Sequence, residues 1–366
     1  MTRNKLKVVW SILLVILLLA LAGCGGTTET GSSQQEDNEG QTDTNDAQPN
    51  DAKADDGQTY TIKLPTVVNA DNFVAIGFHK FKELVEEKSK GKIEVEIYLG
   101  GTLSASDEEN LQLLQDGTAQ VIGAGPFIPA QIAGVKGFNI YDFPFLFEDR
   151  KQLFDFMEGP IGEELKVEFE EATGTKILGY YDIGSLSILN SSHPLTEPDD
   201  LKGLNIRTPQ ASVLMDTISV MGGNPTPITF AEVYTSLQQG TIDGLTTTVP
   251  LMSDSQFYEV SKYLTLTKHV LFPYILFINN DFYESLPADL QEVVLESADG
   301  MVQFARDLAI EQEEAALENM KAKGVEIHEL TPEQLERFRE AVKPAIENNI
   351  DLLGEDFYNR ALEELK

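Results

Sequence analysis

Arg207 stands in Leu204-Asn205-Ile206-Arg207-Thr208-Pro209, a lone cation in a short apolar run that stops at a proline. A guanidinium keeps its charge at any physiological pH and matches a carboxylate with two parallel charge-assisted bonds. From the residues alone, a structural ion pair with one of the chain's many acids is the favoured reading. After it come Gly222-Gly223-Asn224-Pro225, Phe230-Ala231-Glu232-Val233-Tyr234 and Asp243-Gly244, so His193–Pro250 reads as one wall of a ligand cleft. Catalytic chemistry finds no comparable footing. The four histidines, His79, His193, His269 and His328, sit neither at metal-ligand spacing nor beside a plausible nucleophile. Nucleophile-elbow, P-loop and dinucleotide glycine patterns are missing, and Asp199-Asp200 reads as a helix cap in a turn. The expectation is a binding protein, not an enzyme, with no cofactor and no metal site.

The ends narrow where such a protein works. Arg3, Lys5 and Lys7 precede an apolar run from Val8 to Ala22, and Leu21-Ala22-Gly23-Cys24 follows, the pattern of a secretory signal. A membrane span needs ~20 apolar residues, and this run is shorter. The tetrad resembles a bacterial lipobox, which implies cleavage before Cys24 and a lipid on it; a lipid-bearing Cys24 would hold the protein at the outer face of the cytoplasmic membrane without spanning it. Cys24 is also the only cysteine, so neither an internal disulfide nor a thiol nucleophile elsewhere is available. Residues 24–58 are polar and acidic, too poor in apolar groups to fold, and would serve as a tether with a reach of ~30 Å. With 60 acidic against 27 basic residues the net charge is −33, the reverse of a nucleic-acid binder's balance.

The remainder is too long for one core and alternates strand and helix, which predicts an α/β fold with a largely parallel sheet. Thr61–Leu64, Ile93–Tyr98, Val121–Gly125 and Lys176–Tyr181 read as strands, with helices from Phe73 and from the cap pair Ser106-Asp107. Gly123, Ala124 and Gly125 close a strand where small residues would let a ligand approach the backbone. Tyr141–Phe147 is an aromatic patch that reads as a core plug. Asp182-Ile183-Gly184 is the expected first crossing between two lobes, and Val270–Ile278 an apolar strand returning. A helix from Pro287 to about Lys323 would be ~50 Å long, enough to lie across both lobes. The expected organisation is a signal peptide (1–23), a tether (24–58), one lobe from 59–183 with 273–312, and a second from 184–272 with 313–366.

Several motifs together resemble one family. Pro194-Leu195, Asp200-Leu201-Lys202-Gly203-Leu204, Ile206-Arg207-Thr208-Pro209, Gly223-Asn224-Pro225-Thr226-Pro227, Glu232-Val233-Tyr234, Leu237-Gln238 and Asp243-Gly244 follow the signature of TRAP-transporter solute-binding proteins of the DctP type. Asp142–Phe147 and Glu83–Gly91 are similar too, so the likeness runs from Tyr60 to Lys366. The resemblance implies a two-lobed periplasmic-binding-protein-like fold with a long helix spanning both lobes. It also implies capture of organic acids outside the cytoplasm and delivery to an ion-driven membrane permease. A ligand-sensing subunit that feeds a membrane sensor kinase is the alternative for the same fold.

In that family the arginine of the Ile-Arg-Thr-Pro segment holds the ligand carboxylate, which implies that role for Arg207. Other positions depart from the sugar-acid members. Leu186 stands where many carry a second arginine, Leu245-Thr246-Thr247-Thr248 where Glu-Asn-Pro is common, Val67 or Val68 at a polar loop position, and Gly125 in place of an acid. Each sugar hydroxyl buried without a partner costs about 1–3 kcal/mol, so a cleft with one cation and few polar helpers should prefer a small or partly apolar monocarboxylate. The candidate contacts are Arg207, Phe230, Thr247, Tyr181, Phe127, Gly125, Asn224 and Leu186, with Tyr180 and Tyr234 as further possible walls.

Overall fold

The structure is a computed structural model that describes residues 58–366. The expected signal peptide, Cys24 and all but the end of the tether lie outside the described residues. Among the described residues no helix is long and apolar enough to cross a membrane.

The chain opens with β1 (Tyr60–Pro65), α1 (Phe73–Lys88) and β2 (Ile93–Tyr98), a βαβ unit whose two strands pair in parallel. Asn72 caps α1 by accepting from the Val74 amide at 2.9 Å, and α1 turns Phe78, Phe81 and Val85 inward at helical spacing. Next come α2 (Asp107–Gln115), β3 (Val121–Ala124), α3 (Phe127–Gln131), α4 (Arg150–Met157) and α5 (Pro160–Thr173). Tyr141, Phe143 and Phe147 between α3 and α4 are buried, as a core plug would be. The 16-residue β4 (Thr175–Asn190) then leads to β5 (Asn205–Thr208), α6 (Ser212–Val220), β6 (Asn224–Pro227), α7 (Val233–Gln238), β7 (Gly244–Thr248) and α8 (Val249–Asp254). The 17-residue β8 (Tyr263–Asn279) returns, followed by α9 (Asn280–Ser285), the 35-residue α10 (Ala288–Ala322), β9 (Glu326–Glu329), α11 (Pro332–Leu353) and α12 (Glu355–Glu364).

The main sheet corrects the expectation of largely parallel strands. Its order is β3-β8-β4-β7-β5-β6, with β9 against β8. β3-β8, β8-β4 and β4-β7 are antiparallel, and only β7-β5, β5-β6 and β8-β9 are parallel. The reason is connectivity. β4 carries the chain from one core to the next and β8 carries it back, so side by side they must run in opposite directions. At ~3.3 Å per residue each is ~50 Å long.

The apolar interior of the described residues falls into separate clusters. One gathers β1–β3, α1, α5, the outer halves of β4 and β8, and α10 from Leu290 to Ala309. Further along β4, neighbouring side chains point to opposite faces of the sheet. Leu189 enters a cluster with Val233, Leu245 and Leu264, and Ile188 one with Ile206, Ile218 and Phe338. The long helix joins these cores, because Ala316 and Met320 near its end belong to the Leu189 cluster. α11 starts on the Ile188 cluster through Phe338 and Val342. α12 swings back to α5, where Arg360 makes bonds of 2.6 and 2.9 Å to Glu164, so residues 313–366 do not all keep to one side.

The crossing region carries an ion network. Arg150 of α4 meets Asp182 of β4 at 2.9 Å and Glu313 of α10 at 2.8 Å, and Lys268 of β8 reaches Glu313 at 3.4 Å. Asp182 also accepts from the Gly184 amide at 3.0 Å, where β4 loses regular register and Gly184 takes φ +99°.

Candidate functional site

β5 lies between β6 and β7, and its register sets Arg207 opposite Thr226 on one side and Leu245 on the other. The side chain leaves the strand's carboxyl end and is only 6% exposed. Its Nε donates to the Ile228 carbonyl at 3.0 Å, and its guanidinium carbon sits 5.7 Å from the Phe230 ring centroid. Among the described residues no carboxylate lies within 4.0 Å of it. Burial pulls its pKa down to about 10, and Asp107 and Glu108 act in the opposite sense. It is therefore a charged group at neutral pH, desolvated and without an acid partner.

Arg207 stands at the neck between two connected spaces. The inner chamber, ≈ 70 Å³, is lined by Val67, Val68, Val74, Gly125, Ile183, Leu186, Leu251, Phe272 and Tyr274, with Thr246 and Thr247 as its few polar walls. The outer vestibule, ≈ 370 Å³, is lined by Ser106, Glu108, Gln210, Thr229, Glu232 and the Pro227-Ile228 turn. Val67, Asp107, Phe127, Arg207, Pro209 and Phe230 line both and so form the neck. Arg207 is the only cation among all these lining residues.

The walls come from strand ends and the segments just beyond them. β3 delivers Gly125 and Phe127, β5 Arg207, β7 Thr246 and Thr247, while β4 supplies Leu186 and β8 supplies Phe272 and Tyr274 as alternate residues of one face. Gly125 has a packing role at the chamber. A Cβ there would come 2.8 Å from the Phe127 ring and 2.9 Å from the Phe272 ring, so the missing side chain makes room for two aromatic walls. Beneath β7, the Thr246 hydroxyl shares a 3.2 Å hydrogen bond with His269 Nε2, and Thr267 one of 2.8 Å with Nδ1. Burial pushes His269 down to about 4, which keeps it neutral.

Of the residues singled out from the sequence, the structure brings Arg207, Phe230, Thr247, Phe127, Gly125 and Leu186 together around the neck and chamber. Tyr181 and Asn224 are not brought there. Tyr181 pairs across the sheet with Tyr274, their ring centroids 5.5 Å apart, and Tyr274 takes the place on the chamber. The Tyr181 hydroxyl is buried with no hydrogen-bond partner. Asn224 is exposed on the edge strand β6. Tyr180 lies under Arg306, whose Nε and Nη2 donate to its carbonyl at 2.9 and 2.7 Å. The Tyr234 hydroxyl donates to Glu259 at 2.7 Å, away from the cleft.

Asp107 was not among the expected site residues. Ser106 is the true cap of α2, accepting from the Glu109 amide at 3.2 Å. The Asp107 carboxylate is thus released from capping and faces the neck, with a long 3.4 Å bond from the Asn110 side chain. Burial first and Glu108 second raise its pKa to about 7, against the lowering pull of Asn110 and Arg207.

The family described as bacterial extracellular solute-binding protein, family 7 (DctP) matches residues 64–351. The chain belongs to this family. It is similar to the C4-dicarboxylate-binding periplasmic protein DctP of Rhodobacter capsulatus, 33% identical over 304 residues, covering 81% of this chain and 88% of that protein. Among solved structures it is similar to the sugar acid binding protein DctPAm of Advenella mimigardefordensis in complex with galactonate. That likeness has a TM-score of 0.80 at 28% identity, covering 84% of this chain and 98% of the other. A TRAP periplasmic solute binding protein of Sulfurospirillum deleyianum with bound succinate gives a TM-score of 0.78 at 27% identity, covering 83% and 99%. The family is one of two-lobed TRAP solute-binding proteins, as the motifs around Arg207 implied. Family membership thus makes the chain an extracytoplasmic solute-binding protein for organic acids.

Proposed function

We propose that Arg207 takes the carboxylate of a small monocarboxylate at the neck, with the rest of the molecule directed into the apolar chamber. In this reading the loaded protein, held at the membrane through a lipid on Cys24, delivers the acid to an ion-driven TRAP permease. The observation that carries it is the desolvated Arg207 guanidinium, left without an acid partner where an apolar chamber meets a polar vestibule. A buried charge of this kind costs free energy until an anion compensates it, and a carboxylate matches it geometrically. Galactonate and succinate, bound by the two structural neighbours, are carboxylates as well. The chamber walls differ in kind from a sugar site: Leu186, Ile183, Phe272 and Leu251 offer no partner to a row of hydroxyls. Ligand binding would favour lobe closure by a shift in population.

The test is a thermal-melt panel on the mature protein, followed by calorimetric titration of any acid that raises the transition. Lactate, 2-hydroxyisovalerate, isovalerate, succinate, galactonate and glucuronate span the chemistry. Stabilisation by the branched monocarboxylates supports the reading. Tight binding of galactonate or glucuronate, with none of the monocarboxylates, sinks it.

A further inference from the structure

The neck holds a second polar group that the capture of one carboxylate leaves unused. Asp107 lines both the chamber and the vestibule, as Arg207 does, yet the two are too far apart to form an ion pair. An acid whose carboxylate sits on Arg207 shares both spaces with Asp107, which lines each of them. The vestibule adds Glu108 and Glu232, the latter accepting from Thr229, so the lining holds three carboxylates and a single cation.

We infer that Asp107 sets the ligand class by accepting a hydrogen bond from a hydroxyl next to the captured carboxylate and by repelling any second carboxylate. The ligand class is then a 2-hydroxy monocarboxylate with an apolar tail. The inference rests on the carboxylate capture proposed for Arg207.

The physical argument has two halves. A carboxylate has acceptor sites to fill and no donor to offer while ionised. The described partners fill few of them: the Asn110 contact is long, and Arg207 is out of reach. A hydroxyl on the ligand supplies the missing donor. A second ligand carboxylate meets the opposite situation, since it finds no further cation on the lining and at least one like charge at close quarters. Two carboxylates forced together in a desolvated space cannot both stay ionised without loss of affinity. The upward shift of Asp107 with burial fits a site that tolerates added negative charge poorly. The helix geometry explains why the group is available. Ser106 caps the Glu109 amide, so the Asp107 carboxylate is not needed as the cap of α2.

The experiment compares the full-length mature protein and its Asp107→Asn variant by calorimetric titration at about pH 8, where Asp107 is ionised. The probes are 2-hydroxyisovalerate, isovalerate and succinate. A charge-assisted hydrogen bond implies that wild type prefers 2-hydroxyisovalerate over isovalerate by about tenfold or more. Succinate should bind wild type at least about a hundredfold more weakly than 2-hydroxyisovalerate. In Asp107→Asn the hydroxyl preference should shrink to within about threefold, and succinate should gain about tenfold or more in affinity. Asp107→Ser, also uncharged, should show the same gain, and a melt without ligand establishes that each variant is folded. If both variants keep the wild-type order of the three probes, or if wild type takes succinate as readily as the hydroxy acid, the role of Asp107 is refuted. If no monocarboxylate binds in an Arg207-dependent way, it is the capture reading that fails instead.

Discussion

Replacing Arg207 by Met separates a binding role from a structural one, because the two roles predict opposite signs. Met keeps most of the apolar stem and removes the charge. In the ligand-free protein the substitution gives up the Nε bond to the Ile228 carbonyl, worth about 1 kcal/mol, and the contact with the Phe230 ring, worth about 1 kcal/mol. Against this, burial has lowered the guanidinium from its ordinary value to about 10, a penalty on the order of 3 kcal/mol by the usual conversion. The empty protein should therefore be unchanged or more stable by about 1 kcal/mol, a rise of a degree or two in melting temperature for a domain of this size. Binding should move the other way. Loss of two charge-assisted bonds, about 1.5–3 kcal/mol each, weakens affinity by a factor of about a hundred to ten thousand. The assay is paired: melting curves with and without 2-hydroxyisovalerate, and titration of the same acid. A ligand-free variant that melts many degrees below wild type would show that Arg207 holds the fold. An unchanged affinity would show that the carboxylate sits elsewhere.

Three other perturbations follow from named contacts. Gly125→Ala puts a methyl 2.8 Å from the Phe127 ring and 2.9 Å from the Phe272 ring, so the rings must shift and reshape the chamber. Overpacking of this kind costs about 1–3 kcal/mol, and titration should show affinity lowered by more than the small stability loss explains. Arg150→Met leaves Asp182 and Glu313 without their shared cation where β4 crosses between the cores. Breaking a largely buried pair from one side should cost about 3 kcal/mol in chemical denaturation, with the neck itself untouched. Asp142 is fully buried with neither carboxyl oxygen hydrogen-bonded, and burial raises it from 3.8 to about 8. The folded protein thus holds a proton there that the unfolded chain releases above about 4, so this group's contribution falls as pH rises between those values, by up to ~1.4 kcal/mol per pH unit. Asp142→Asn should flatten that part of the stability–pH curve and raise stability at pH 7–8; an unchanged curve would mean that Asp142 does not titrate there. His269, lowered by burial to about 4, has the opposite sign and costs stability as pH drops below its unfolded value of 6.5.

The strength of the sequence signals tracks how local their causes are. The α1 helix, the long α10 and the Ser106 cap rest on spacing within one element, and the structure has them almost residue for residue. The plan of the sheet does not follow from such spacing. A fully buried strand gives the same apolar run whether its neighbours are parallel or antiparallel, so Lys176–Tyr181 and the long Val270–Ile278 read only as parts of β4 and β8, in a largely parallel sheet. Arg207 was legible because a charge inside an apolar strand with a family motif around it is unusual. Tyr181 and Tyr274 show where that kind of reading ends. Both are aromatic residues in apolar strands, and the register sets them side by side on one face of the sheet, where Tyr274 lines the chamber and Tyr181 does not. The register of β4, with its slips between Ile177 and Gly179 and past Asp182, is announced by no side-chain alternation.

Asp107 was hidden for a related reason, and its case bears on how the site selects. Beside Ser106 at a helix start, an acid is favoured by the helix dipole alone, so the sequence offers a sufficient structural cause for it. Only the packing of α2 against the neck shows that the capping is already done by Ser106 and that the carboxylate faces Arg207's space instead. The apolar chamber walls, Leu186 and Phe272 among them, offer no partners to a row of hydroxyls. Asp107 leaves a place for one. A cleft built this way would discriminate by the number of polar groups next to the carboxylate, with the chamber walls limiting the size and polarity of what lies beyond them.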